Sequence, residues 1–230
     1  MKLVLKILGK IKKVADKTIK RIQRKTDSQF VALEKWYKED PHNLKRSTFE
    51  HLTEDSIVFD LGGYEGEWAS DIIARYNCNI YIFEPVSEYF EIIKERFKHN
   101  PKVFCFQVGL SDKSYKTEIN IDEFASSIFN ESKNSSVQES IQIKSFNTFV
   151  AELQLKEIDL AKINIEGGEY DLLESLILSE KIKDIDQILV QFHDFVPDAT
   201  ERKQSIKHNL EKTHNVVFDY EYIWELWKRK

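Results

Sequence analysis

The chain has 230 residues, 41% hydrophobic and 12% aromatic, with four prolines, two cysteines and a formal net charge of −5. A chain of this size buries an ample core without disulfides or a structural metal, and the composition opposes a disordered, low-complexity or disulfide-framework protein. No run of about 18 uninterrupted apolar residues occurs, and Lys6 and Lys10 break the one candidate signal-peptide core, so a soluble cytoplasmic protein is expected.

In chain order, residues 1–25 carry ten Lys or Arg against one Asp, a net of about +9 that leaves about −14 for the remainder. Val4, Ile7, Leu8, Ile11, Val14, Ala15, Ile19 and Ile22 recur at helical spacing, which predicts a basic amphipathic helix. Such a helix either packs on the domain with its polar face solvated, or makes peripheral contact with an anionic membrane surface or another protein. Further helices are expected over Ser28–Lys38 and Ser47–Leu52, closing an N-terminal extension of residues 1–54 ahead of a main domain of residues 55–230.

From there short apolar runs alternate with amphipathic stretches. Strands are expected at Ser56–Leu61, Asn79–Phe83, Lys102–Val108, Asp159–Ile165 and Gln187–Phe192, and helices near Glu67–Tyr76 and Ser87–Lys98. This order predicts an α/β, Rossmann-like, doubly wound and mostly parallel sheet covered on both faces. Residues Tyr115–Ile143 read as short strands and polar loops in an excursion over one edge of the sheet. "NVVFDYEYIWELW" leaves no room for a helix between its two runs and so predicts a terminal antiparallel hairpin. Cys78 and Cys105 stand in strand-like surroundings and read as reduced thiols.

The stretch "VFDLGGYEGEW" packs Gly62, Gly63 and Gly66 into a strand-to-helix turn, where free backbone N–H groups and a helix dipole can meet a ligand. The pattern is not the GxGxxG of dinucleotide sites, which opposes a nicotinamide-dependent oxidoreductase on the same sheet. Glu84 ends the second strand about twenty residues on, where a carboxylate can take both hydroxyls of a ribose. A third group, Lys162, Asn164 and Glu166, shares one face of a strand at period two and precedes a Gly167–Gly168 turn and Glu169.

Asp60, Gly62 and Gly66 match DxGxxxG, which resembles the first motif of S-adenosylmethionine-dependent methyltransferases. With "EP" at Glu84 and "KINIEGGE" at Lys162–Glu169, the chain is similar to the FkbM family of methyltransferases over about residues 55–195; "VGLSD", Ser126 and Ser127, and "QFHDF" agree further. The resemblance implies a seven-stranded sheet with its final strand antiparallel. It also implies S-adenosylmethionine as cofactor, held by Asp60, Gly62, Gly63, Tyr64, Gly66, Glu84, Val108 and Asn164, with the three glycines clearing space for its methionine end. Asn164 stands where the family usually has aspartate and cannot take a proton.

The acceptor implied is a hydroxyl of a sugar, a glycan or a secondary metabolite, and the acidic remainder of the chain opposes a nucleic-acid partner. His193, at the ligand-binding edge, is the expected proton acceptor, with Glu166 or Glu169 in its place or orienting it. Glu166, Glu169, His193 and Asp194 offer oxygen and imidazole ligands to Mg²⁺ or Mn²⁺, although their spacing is no metal signature. His42, His51, His99, His208 and His214 connect to nothing. A non-catalytic cofactor-binding module stays open as the alternative to an enzyme.

Overall fold

A computed structural model describes residues 18, 19, 22, 27–120 and 138–230. Most of the predicted basic helix of residues 1–25 lies outside the described residues, as do Ser126 and Ser127. Of that helix, Ile19 and Ile22 are described, and both are exposed.

Helix α1 (Ser28–Glu39) opens on Asp27, whose Oδ1 accepts from the Phe30 N–H at 2.8 Å. The helix expected over Ser47–Leu52 does not form. Asp40 instead accepts from the N–H groups of Leu44 and Lys45 at 2.8 and 2.9 Å, which stabilises a 3₁₀ turn at Leu44–Arg46. Phe49 and Leu52 then tuck into the core. That tertiary burial overrides the local helical pattern.

The main sheet runs β3 (Val103–Phe106), β2 (Asn79–Phe83), β1 (Ile57–Leu61), β7 (Ile158–Ile163), β8 (Ile185–Val190), β10 (Trp224–Arg229), β9 (His214–Tyr220). β10 pairs antiparallel with both neighbours and the other ladders are parallel, so the seven strands and their single reversal are as expected. Helices α2 (Glu67–Tyr76) and α3 (Ser87–Phe97) cover one face with α1, and α4 (Phe146–Glu152), α5 (Glu169–Leu178) and α6 (Ala199–Leu210) cover the other. Successive strand residues serve opposite cores: Val58 joins the first and Phe59 the second, which explains the continuous apolar runs.

The excursion contributes β5 (Tyr115–Asn120) and β6 (Gln138–Ser145) to a second sheet, which β4 (Gly109–Ser111), just ahead of it, completes in the order β4, β6, β5. The fourth and fifth predicted strands run past their observed ends. β7 stops at Ile163 because the chain turns at Glu166, whose φ is +50°, so only Lys162 of the expected polar face lies in the strand. Both cysteines are free thiols, pushed up to about 11 by burial. Among the described residues no helix is long and apolar enough to cross a membrane.

Candidate active site

The carboxyl end of the sheet is built around the junction of β1 and β7. Asp60 and Lys162 are paired across it, and both are buried. Lys162 Nζ donates to Asp60 Oδ1 at 2.8 Å and to the Gly62 carbonyl at 2.6 Å. A lysine at that depth is tolerable only because two acceptors meet it.

The glycines of the turn answer to the protein's own atoms. A Cβ at Gly62, whose φ is +80°, would overlap the Asn164 carbonyl oxygen; one at Gly63 would overlap the Ile82 side chain; and one at Gly66 would meet the Phe97 ring at 2.9 Å. Each of the three glycines is thus required by the packing of the protein itself. They let the turn close against β7 and α3.

Beside the turn opens a cavity of about 260 Å³. Of the predicted site residues, Gly62, Tyr64, Glu84, Asn164 and Glu166 line it. Asp60, Gly63, Gly66 and Val108 lie behind this surface in the packed interior. Tyr64 and Glu166 are non-glycine residues in the left-handed region, at φ +49° and +50°, a strain on the order of 1 kcal/mol or more each that gathers at the rim.

Glu84 presents its carboxylate to the cavity. Its Oε2 accepts from the Tyr64 N–H at 2.8 Å and its Oε1 from the Val86 N–H at 2.9 Å, leaving lone pairs on both oxygens. Burial raises its pKa to about 7 against the pull of those two N–H groups. Asn164 Oδ1 is buried and has no hydrogen-bond partner among the described residues.

His193 follows β8 and is gripped on several sides. Its backbone N–H and its Nδ1 lie 2.9 and 3.0 Å from Glu169 Oε1, and its Nε2 lies 3.4 Å from Glu166 Oε2. Glu169, fully buried, uses Oε2 to accept from the Gly167 N–H at 2.8 Å and so caps the turn as well. Burial alone would lower the His193 pKa, but the hydrogen bonds and charges of Glu166 and Glu169 outweigh it and raise it to about 9. At neutral pH the ring is an imidazolium. The neutral imidazole expected from the sequence is not what this arrangement holds.

Among the described residues no three His, Cys, Asp or Glu side chains are arranged to hold a metal ion. Sequence reasoning missed Tyr170, whose hydroxyl donates to the His193 carbonyl at 2.8 Å, and it missed Ile119, Ile141 and Ile143 on the cavity wall. The alternation of Ile141 and Ile143 was the available signal for the latter; nothing in the sequence marks Tyr170.

Residues 60–220 match the family described as "Methyltransferase FkbM domain". No curated protein matches the chain. Among solved structures it is similar to the Methanococcus jannaschii fibrillarin pre-rRNA processing protein, at 12% identity over 79% of this chain and 70% of that one, with a TM-score of 0.46. It is also similar to an rRNA methylase from Streptococcus thermophilus, at 13% identity over 78% and 90%, with a TM-score of 0.46. A third is the precorrin-6y C5,15-methyltransferase of Geobacter metallireducens, at 11% identity over 81% and 86%, with a TM-score of 0.42.

Proposed function

Since this chain belongs to the FkbM methyltransferase family, we propose that it moves the methyl group of S-adenosylmethionine to a hydroxyl of a sugar, a glycan or a secondary metabolite. One observation carries the reading: one cavity is lined both by a Glu84 carboxylate with lone pairs left over and by Asn164, whose buried Oδ1 has no hydrogen-bond partner among the described residues. These groups fit the cofactor. Glu84 would accept the two ribose hydroxyls, while the backbone at Gly62–Tyr64 and the Asn164 carboxamide would hold the methionine end.

When bound, S-adenosylmethionine supplies a methyl group on a positively charged sulfur, open to in-line displacement. The chain then has to place an acceptor oxygen and receive its proton. Glu166 stands on the cavity rim, and we assign it that proton. His193 keeps its own proton and directs Nε2–H towards Glu166, and Glu169 fixes the ring from the other side. Two carboxylates against one imidazolium leave a net negative charge, which suits a cationic cofactor and a neutral acceptor and disfavours phosphate-rich ones. For the basic segment of residues 1–25 we propose peripheral contact with an anionic surface.

The test is calorimetric titration of S-adenosylmethionine and S-adenosylhomocysteine into wild type and Glu84→Ala, followed by radiolabelled methyl transfer to a panel of glycosides. Micromolar binding lost in the variant, with label on a hydroxyl, is the expected result. Binding without transfer to any acceptor would favour the non-catalytic module, for which Asn164 in the family's aspartate position speaks; no binding by wild type would sink the cofactor assignment.

A further inference from the structure

His193 is held by more than the two carboxylates on its ring. Glu169 and Tyr170 open α5, and between them these neighbours take both backbone groups of His193: Glu169 Oε1 accepts its N–H at 2.9 Å, and the Tyr170 hydroxyl donates to its carbonyl at 2.8 Å. The same Glu169 oxygen lies 3.0 Å from Nδ1. A residue pinned at its N–H, its C=O and Nδ1 has little freedom left in its peptide planes or its ring, so the direction of Nε2 is set from α5.

Packing alone does not call for a tyrosine here. The Tyr170 ring is fully buried, its centroid 5.4 Å from that of Phe192, and the Arg202 guanidinium of α6 lies 5.1 Å over it, tied to Asp171 and Glu174 at 2.6 and 2.7 Å. Phenylalanine would fill the same space, and a buried hydroxyl costs free energy unless a partner meets it. The partner it meets is the His193 carbonyl. Burial, with the Glu169 charge beside it, pushes the phenol pKa above its usual value, so the hydroxyl stays a donor throughout the working range.

Glu166, Gly167 and Gly168 lead straight into this helix, and Glu169 also accepts from the Gly167 N–H at 2.8 Å. The turn that carries Glu166 and the residue that carries the imidazolium are thus fastened to one helix start. We propose that Tyr170 is a positioning residue for methyl transfer: its hydroxyl fixes the His193 peptide so that Nε2–H stays directed at Glu166, the carboxylate assigned the acceptor's proton. The inference rests on that assignment. Nε2 and Glu166 Oε2 lie 3.4 Å apart, a separation at which a small rotation of the ring makes or breaks the hydrogen bond. With the His193 carbonyl released, the ring can swing and Glu166 loses the partner that orients it, while Glu84 and Asn164, the groups assigned to the cofactor, stay in place.

Tyr170→Phe removes the hydroxyl and keeps the ring. It would be compared with wild type and with Arg202→Met, which loosens the packing over that ring but leaves the hydroxyl. Nuclear magnetic resonance on protein labelled at histidine nitrogen, with His193→Gln to assign the signal among the six histidines, gives the rate at which the Nε2–H proton exchanges with water. Radiolabelled methyl transfer gives kcat and KM, and thermal melting establishes folding. Tyr170→Phe should speed the exchange and lower kcat, each roughly tenfold, with KM for S-adenosylmethionine unchanged. Arg202→Met should lower the melting temperature by about 2–4 °C and leave exchange and kcat near wild type. Unchanged exchange in folded Tyr170→Phe would overturn the positioning role, and so would an equal effect in Arg202→Met, because loosening of the helix pair would then suffice. Faster exchange with kcat unaltered would overturn it too, by detaching the ring from the reaction. No methyl transfer by wild type would instead overturn the functional reading, and the exchange rate would still decide whether Tyr170 orients His193.

Discussion

Acidification should stabilise the free protein through Glu84 and His193. Burial, opposed by the N–H groups of Val86 and Tyr64, raises the Glu84 pKa from 4.5 to about 7. Because the folded value lies above the unfolded one, between pH 4.5 and about 7 the folded chain holds a proton that the unfolded chain has released. Ionised Glu84 therefore weighs against the fold above pH 7, and the penalty disappears as pH falls towards 4.5. About 2.5 units at about 1.4 kcal/mol each amounts to roughly 3 kcal/mol. His193, raised from 6.5 to about 9, contributes stability that is complete below pH 6.5 and lost as pH rises through 9. The two windows adjoin, so single-residue variants are needed to separate them. Urea denaturation of wild type, Glu84→Gln and His193→Gln between about pH 5 and 9 would do so. The stability of wild type relative to Glu84→Gln should rise by roughly 3 kcal/mol from pH 7.5 to 4.5. A difference that stays flat across that range would refute the argument that the cavity withholds water from this carboxylate.

Gly62→Ala combines a left-handed backbone with overlap against the Asn164 carbonyl, so a loss above about 4 kcal/mol is expected; a melting temperature near wild type would show that the β1–β7 turn has room. Lys162→Met strands the Asp60 carboxylate in the interior at a cost of about 3–5 kcal/mol, and adding Asp60→Leu should recover most of it in denaturant titrations. Glu166→Gln should lower the methyl-transfer rate by about 10²–10⁴ while S-adenosylhomocysteine affinity holds, and an unaffected rate would remove Glu166 from the proton's path. Wild type should sediment with anionic vesicles at low salt and be released as ionic strength rises, whereas binding insensitive to salt would count against residues 1–25 as an electrostatic contact.

Much of the frame is legible in the sequence. α2 and β2 fall on the expected residues, and Glu84 sits where a strand-end carboxylate should, because both depend on short-range pattern and on parallel-sheet geometry. What escaped notice depends on long-range contact. The DxGxxxG spacing located the turn but could not say that its glycines face Asn164 and Ile82. Period two carried the polar face on to Glu166, but the left-handed turn there redirects that side chain to His193. His193 read as a base because the sequence places it at the right edge; two carboxylates converging on both ring nitrogens make it an acid-form residue instead.

β1 and β7 are neighbours in space but far apart in the chain: Asp60 and Lys162 are 102 residues apart. Closing a loop of that length costs roughly 4 kcal/mol of chain entropy before the pairing returns anything. A refolding chain can assemble β1, α2, β2 and α3 from local contacts, yet the Asn164–Glu166 side of the cavity is absent until β7 pairs with β1 and brings the segment after it into place. Ligand-binding competence should then appear in the slowest folding phase, later than most of the helical signal. Binding of S-adenosylhomocysteine followed in a stopped-flow refolding experiment would act as a clock for completion of the sheet.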